Sequence, residues 1–156
     1  MYLALKLLHV LGVIVFLGNI ITGIFWKAHA DKSRDPRLIA HALDGIVRSD
    51  QVFTVPGVVV IALTGFAAAV VAGLPLLRTA WLCGGIALFT ISGIAFMARV
   101  APLQRQMLAL ARSGTDASSF DWAAYAKLSR AWGTWGAVSL ITPLFAAALM
   151  VLKPVW

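Results

Sequence analysis

Residues 3–26, LALKLLHVLGVIVFLGNIITGIFW, hold one charged side chain, Lys6, in an otherwise apolar run long enough to cross a bilayer as a helix. A hydrocarbon core about 30 Å thick takes roughly 20 residues at the helical rise. Three further runs meet that length, at 52–73, 80–97 and 132–152. With 61% hydrophobic and 12% charged residues, the 156-residue chain is too apolar to cover a soluble surface, and it has the length of one compact unit. The expectation is an all-α fold, an integral membrane four-helix bundle forming a single transmembrane domain over 1–156.

Charge placement orients that bundle. All six acidic residues and ten of the thirteen Lys and Arg fall within 27–50 and 99–130, the two long connections. Lys6, Arg78 and Lys153 are all that remain for the opposite face. Cytoplasmic connections carry the excess of Lys and Arg, so both termini and the short 74–79 turn are expected on the outer, periplasmic side of a bacterial inner membrane. The net charge of +7 is spread beside spans, where it meets anionic lipid headgroups; no separate basic domain exists to suggest nucleic acid. The side chains of residues 1–5 are uncharged and the first apolar run is of spanning length, so that run reads as a retained span and not as a cleaved signal.

The connections themselves carry helical patterns. After Asp35-Pro36, a cap and first-turn pair, Leu38, Ile39, Ala42, Leu43, Ile46 and Val47 recur at helical spacing among Arg37, His41, Asp44 and Arg48. That pattern predicts an amphipathic helix at the inner interface. The third span is expected to run on through Met107 and stop at Gly114. A helix starting near Ser118 or Ser119 should feed the fourth span through Trp122, Tyr125, Leu128 and Trp132. Glycines at 12, 18, 23, 84, 85, 93, 133 and 136 offer close packing between spans, and Pro56 and Pro143 predict local kinks.

Few polar groups remain at membrane depth. Asn19 reads as a bridge between helices. Asp50 stands at the inner edge, and no carboxylate falls within a span, which argues against a proton relay or cation pathway. His9 is the one intramembrane histidine, with Lys6 on the same helix face one turn nearer the outer water. A neutral imidazole ligates haem iron, and a cation beside it meets a propionate. Met150 and Lys153 repeat this pairing at the outer end of the fourth span. A b-type haem held by His9, with Met150 as second ligand or with His9 as sole ligand, would use Lys6, Arg78 and Lys153 for its propionates. In the competing reading His9 hydrogen-bonds across the bundle, Lys6 snorkels to headgroups and Met150 packs. His29 and His41 read as solvated, and Cys83 as a small buried hydrophobe. No phosphate loop, nucleophile elbow or zinc helix is present, and no catalytic residue is assigned.

Leu5-Lys6-Leu7-Leu8-His9, Phe16-Leu17-Gly18-Asn19, the run from Asp50 to Gly57 and the segment from Arg130-Ala131-Trp132-Gly133 to Lys153-Pro154 resemble a family of predicted bacterial integral membrane proteins of unknown function, over essentially the whole chain. More distantly, Lys6, His9 and Gly18 or Asn19 resemble the first helix of HemJ-type protoporphyrinogen oxidases and CopD-type copper-resistance proteins. The HemJ resemblance implies a b-haem protein acting on a porphyrinogen. The chain departs from that pattern in having no histidine beyond His41. Three functions follow: electron transfer or redox sensing through a haem on His9, with a redox partner or membrane complex; non-catalytic binding of a lipid, small molecule or partner complex; and small-solute transport. Small-residue faces leave room for a homodimer.

Overall fold

The computed structural model describes residues 1–76, 78–114 and 120–154. Four long helices account for nearly all of them: α1 (Tyr2–Ser33), α2 (Pro36–Val71), α3 (Ala80–Ser113) and α4 (Trp122–Leu152). Each is long and apolar enough to cross a membrane, and no strand occurs among the described residues. The all-α, four-span expectation therefore holds.

The stretch 27–50 is helical almost throughout. α1 runs on to Ser33, Arg34 turns the chain in the left-handed conformation (φ 52°), and Asp35 caps α2 by accepting from the Arg37 amide at 2.8 Å. Pro36 sits in the first turn, where its missing N–H costs nothing. α3 likewise continues past its apolar run and ends at Gly114. The expected start at Ser118 or Ser119 lies outside the described residues; α4 begins at Trp122, with the Asp121 side chain accepting from the Ala124 amide at 2.9 Å.

Two prolines shape the middle helices. Pro56 and Pro102 lack the N–H that would close a bond to the carbonyls of Val52 and Ala98, four residues back. The chain widens into a π turn just before each, at Asp50–Thr54 and Phe96–Val100, and then resumes as α-helix. Each of α2 and α3 is thereby one helix with two arms.

The arms divide the packing. The second arm of α2 (Val55–Val71) lies along α1, and the first arm of α3 (Ala80–Ala95) lies along α4. The two pairs are joined mainly by the first arm of α2 (Pro36–Ser49) against the last arm of α3 (Ala101–Ser113). Within the pairs glycines make close contacts, Gly57 against the backbone of Gly12 and Phe16 and Gly84 against the Leu149 side chain. Gly18, Gly93, Gly133 and Gly136 are not such points, since a Cβ there would meet nothing within 4 Å.

Burial is concentrated at the end carrying the two longer connections. Ile39, Leu43 and Met107 are fully enclosed there beside Tyr125 and Trp132, and the first arm of α2 buries Ile39, Leu43 and Ile46 while exposing Arg37, His41 and Arg48. Along the apolar spans large residues such as Leu63, Phe66 and Ile94 face outward, as lipid as solvent allows.

Candidate functional site

The π turn of α2 carries Asp50 into the junction of the two helix pairs. Its carboxylate is 7% exposed and accepts three side-chain bonds: from Asn19 Nδ2 on α1 at 3.0 Å, from Thr54 Oγ1 at 2.8 Å and from Gln104 Nε2 on α3 at 3.0 Å. Asn19 Nδ2 also reaches Thr54 Oγ1 at 2.9 Å, so the group forms one network. Asn19 bridges helices as its sequence position suggested. At the base of the spans Asp50 is a buried centre. It continues the buried stripe of Ile39, Leu43 and Ile46 at helical spacing, while Arg48 stays exposed on the other face, and the π turn begins at Asp50 itself.

A cavity of about 30 Å³ adjoins this network, bordered by Asn19, Asp50, Gln104, Trp132 and Ser139. That is space for a water-sized occupant. Trp132 Nε1 is buried with no hydrogen-bond partner, the one such side-chain atom among the described residues. A buried donor without an acceptor costs about 1–3 kcal/mol. Toward the opposite face, Ser92 Oγ donates to the Ser139 carbonyl at 2.7 Å, and the Phe16 and Phe89 rings meet edge to face at 5.7 Å.

On the other side of Trp132 lies a second polar group. Lys27, 5% exposed, pairs with Asp31 at 2.6 Å, bonds Ser129 Oγ and stands 5.3 Å from the Trp132 ring centroid and 5.5 Å from that of Tyr125. Tyr125 Oη donates to Asp31 Oδ1 at 2.6 Å. Burial, and then the Asp31 carboxylate, push the Tyr125 hydroxyl above its ordinary range; this residue precedes the apolar span of α4. Lys27, assigned by sequence to an open connection, is thus an internal residue of α1, and Trp132 stands between its cluster and the Asp50 cavity.

The residues singled out for a haem fall on both helix pairs. His9 Nδ1 lies 2.9 Å from the Ile61 carbonyl of α2, and its ring packs so closely on Gly65 that a Cβ there would lie 2.8 Å from Cε1. Lys6 is exposed. Met150 packs within the other pair, its methyl lying where a Cβ on Gly85 would approach to 2.7 Å. Lys153 Nζ lies 5.4 Å from the Trp81 ring centroid, and Arg78 is exposed in the turn before α3. His9 and Met150 therefore each seat in their own helix pair.

A model of the family described as a predicted integral membrane protein, DUF2269, matches residues 3–154. The chain belongs to that family. No curated protein and no solved structure matches it. Membership makes this an integral, multi-pass membrane protein in contact with a lipid bilayer, and it brings no activity with it.

Within this DUF2269 chain, no cluster of three His, Cys, Asp or Glu suited to a metal ion occurs among the described residues. The strongest convergence of polar side chains is at Asp50, where residues 31, 35 and 54 positions apart meet. Sequence reading missed Gln104 and Lys27 altogether. A signal was present: Gln104 and Asp50 each follow or begin a proline-dependent bulge, and such bulges favour functional sites.

Proposed function

We propose that the protein is a membrane-embedded binding protein, without covalent chemistry of its own, that takes up a compact cation, a proton or a monovalent ion, at Asp50. One observation carries this reading: a carboxylate at 7% exposure is held by three neutral donors, and none of the described ion pairs includes it. An uncompensated charge in that setting costs several kcal/mol. A small cation or a proton is the complement such a centre calls for. The amides of Asn19 and Gln104 carry an oxygen beside each NH₂ group, so a half turn about the terminal bond exchanges donor for acceptor as the ligand arrives.

The excess of Lys and Arg beside Asp50 supports a bacterial inner-membrane placement with both termini outside, which would make the cytoplasm the nearer bath. The test is thermal stability of the detergent-purified protein titrated with sodium, potassium and ammonium chloride, with choline chloride holding ionic strength constant. A bound ion raises the midpoint progressively with the logarithm of its concentration, reaching about 2.7 kcal/mol of stabilisation at a hundredfold excess over Kd. Asp50→Asn should remove the response. A proton instead would show as an infrared carboxylic band that exchanges between acid and alkaline buffer and is missing in Asp50→Asn. Silence in both experiments would refute the proposal.

A second reading, a b-type haem on His9 serving electron transfer or redox sensing, is favoured by the His9 bond to Ile61. With Nδ1 engaged by a carbonyl, Nε2 is left as the nitrogen able to bind iron. Lys6, Arg78 and Lys153 would be the propionate partners, with His9 as the sole axial ligand, since Met150 is seated on Gly85. A Soret band in protein expressed with haem precursor, lost in His9→Ala, supports this reading; colourless protein rejects it.

A further inference from the structure

The π turn of α3 has a second consequence, on the outer surface of the bundle. Between α3 and α4 runs a groove of about 240 Å³ whose walls are Ile91, Ile94, Ala98 and Val138 and whose end is formed by Arg99 and Trp135. Ile94 is 64% exposed, so the groove opens onto the hydrocarbon that surrounds the spans. Arg99 belongs to the π turn itself, and its guanidinium carbon lies 5.4 Å from the centroid of the Trp135 ring. None of the described ion pairs includes Arg99.

We propose that this groove is a binding site for an anionic phospholipid, with one acyl chain along Ile91, Ile94 and Val138 and the phosphate on Arg99. The chemistry is complementary at both ends. An apolar channel facing lipid is filled by a chain, because no water is there to fill it. An arginine stacked on an aromatic face keeps its edge donors, which match phosphate oxygens in pairs. Tryptophan at the end of a span marks headgroup depth, so cation and phosphate meet at one level. A lipid with net negative charge is favoured over a zwitterionic one, whose own ammonium competes with Arg99 for the phosphate.

Fluorescence of the reconstituted full chain tests this, using nanodiscs in which phosphatidylglycerol or phosphatidylcholine carries brominated chains. The Trp135 contribution is obtained by subtracting the Trp135→Phe protein from the wild type. The expected result is at least twofold stronger quenching of Trp135 by the brominated phosphatidylglycerol, with the preference lost in Arg99→Gln and reduced in Arg99→Lys, which keeps the charge but not the paired donors. Equal quenching by the two lipids in the wild type overturns the proposal, and that comparison needs no Arg99 variant to fold. A preference that survives Arg99→Gln overturns the role of Arg99. Relief of quenching by inorganic phosphate at matched concentration would identify a free anion as the ligand and overturn the lipid assignment.

Discussion

Gly65→Ala tests the placement of His9 directly. A Cβ built on Gly65 falls 2.8 Å from His9 Cε1 and 2.9 Å from Nδ1, closer than side chains pack, so the ring must shift and its bond to the Ile61 carbonyl must break. Forcing a methyl into a filled contact costs about 1–3 kcal/mol. The lost hydrogen bond adds about 1 kcal/mol, and the better helix propensity of alanine returns about the same amount. The net expectation is a loss of about 1–3 kcal/mol. In a His9→Ala background the clash and the bond are both gone, and Gly65→Ala should then be neutral or stabilising by up to about 1 kcal/mol, a reversal of sign. Reversible unfolding in mixed micelles with increasing dodecyl sulfate, followed by tryptophan fluorescence, measures all four corners of the cycle. The difference between the two backgrounds gives an expected coupling of about 1–4 kcal/mol. Equal effects of Gly65→Ala in the two backgrounds would refute the contact, and with it the fixed Nδ1 on which the haem reading depends.

Gly85→Ala should be milder, below about 1.5 kcal/mol, because the atom in its way is the flexible end of Met150; the same unfolding assay decides. Asp50→Leu leaves Asn19 bonded to Thr54 and lets Thr54 turn to its own backbone, so Gln104 Nε2 is the one orphan, and a loss of about 1–3 kcal/mol follows that Gln104→Leu in the same chain should largely recover. Lys27→Met removes the cation from Asp31 and Tyr125, and a drop of about 1–3 kcal/mol is expected, reduced from the fully buried value because the Asp31 side chain is 30% exposed; hydrogen exchange of the Tyr125 and Ser129 amides should rise with it. Trp132→Phe sets the gain from removing a buried donor without a partner against the volume that the indole fills in the core, and a net change within about 2 kcal/mol is expected in the same unfolding assay.

The spans were legible in the sequence because their determinant is local: an apolar run of sufficient length is a property of neighbouring residues. The cap at Asp35, the proline at the first turn of α2 and the end of α3 at Gly114 were legible for the same reason. What escaped was whatever depends on helix phase. Asp50 lies in phase with Leu43 and Ile46, whereas Gln104 follows the π turn of α3, whose one extra residue shifts the helix phase by roughly a hundred degrees, so a regular wheel drawn through the apolar run of α3 misplaces Gln104. Lys27 escaped through the habit of placing charge in water; its neighbours Asp31, Tyr125 and Ser129 become visible only when α1 and α4 lie side by side. His9 was singled out correctly as the one histidine within a span, but its partner is a backbone carbonyl, which no side-chain pattern announces.

The two π turns place the polar centre and the lipid groove on one structural device. Pro56 and Pro102 each lack the N–H that a regular helix would use, and each follows a π turn, one beginning at the buried Asp50 and the other holding the exposed Arg99. A ligand at Asp50 contacts the π turn of α2 through Thr54 and the last arm of α3 through Gln104, while a headgroup on Arg99 contacts the π turn of α3 itself. Both therefore act on the junction through which the two helix pairs are chiefly joined. Replacing Pro102 by alanine restores the missing donor and favours a regular α-helix over the bulge. That change should withdraw Arg99 from Trp135 and Gln104 from Asp50 together, so that the lipid preference of Trp135 quenching and the cation response fall in the same protein. Loss of one with the other intact would show that the two sites are held independently, by packing and not by the shared turn.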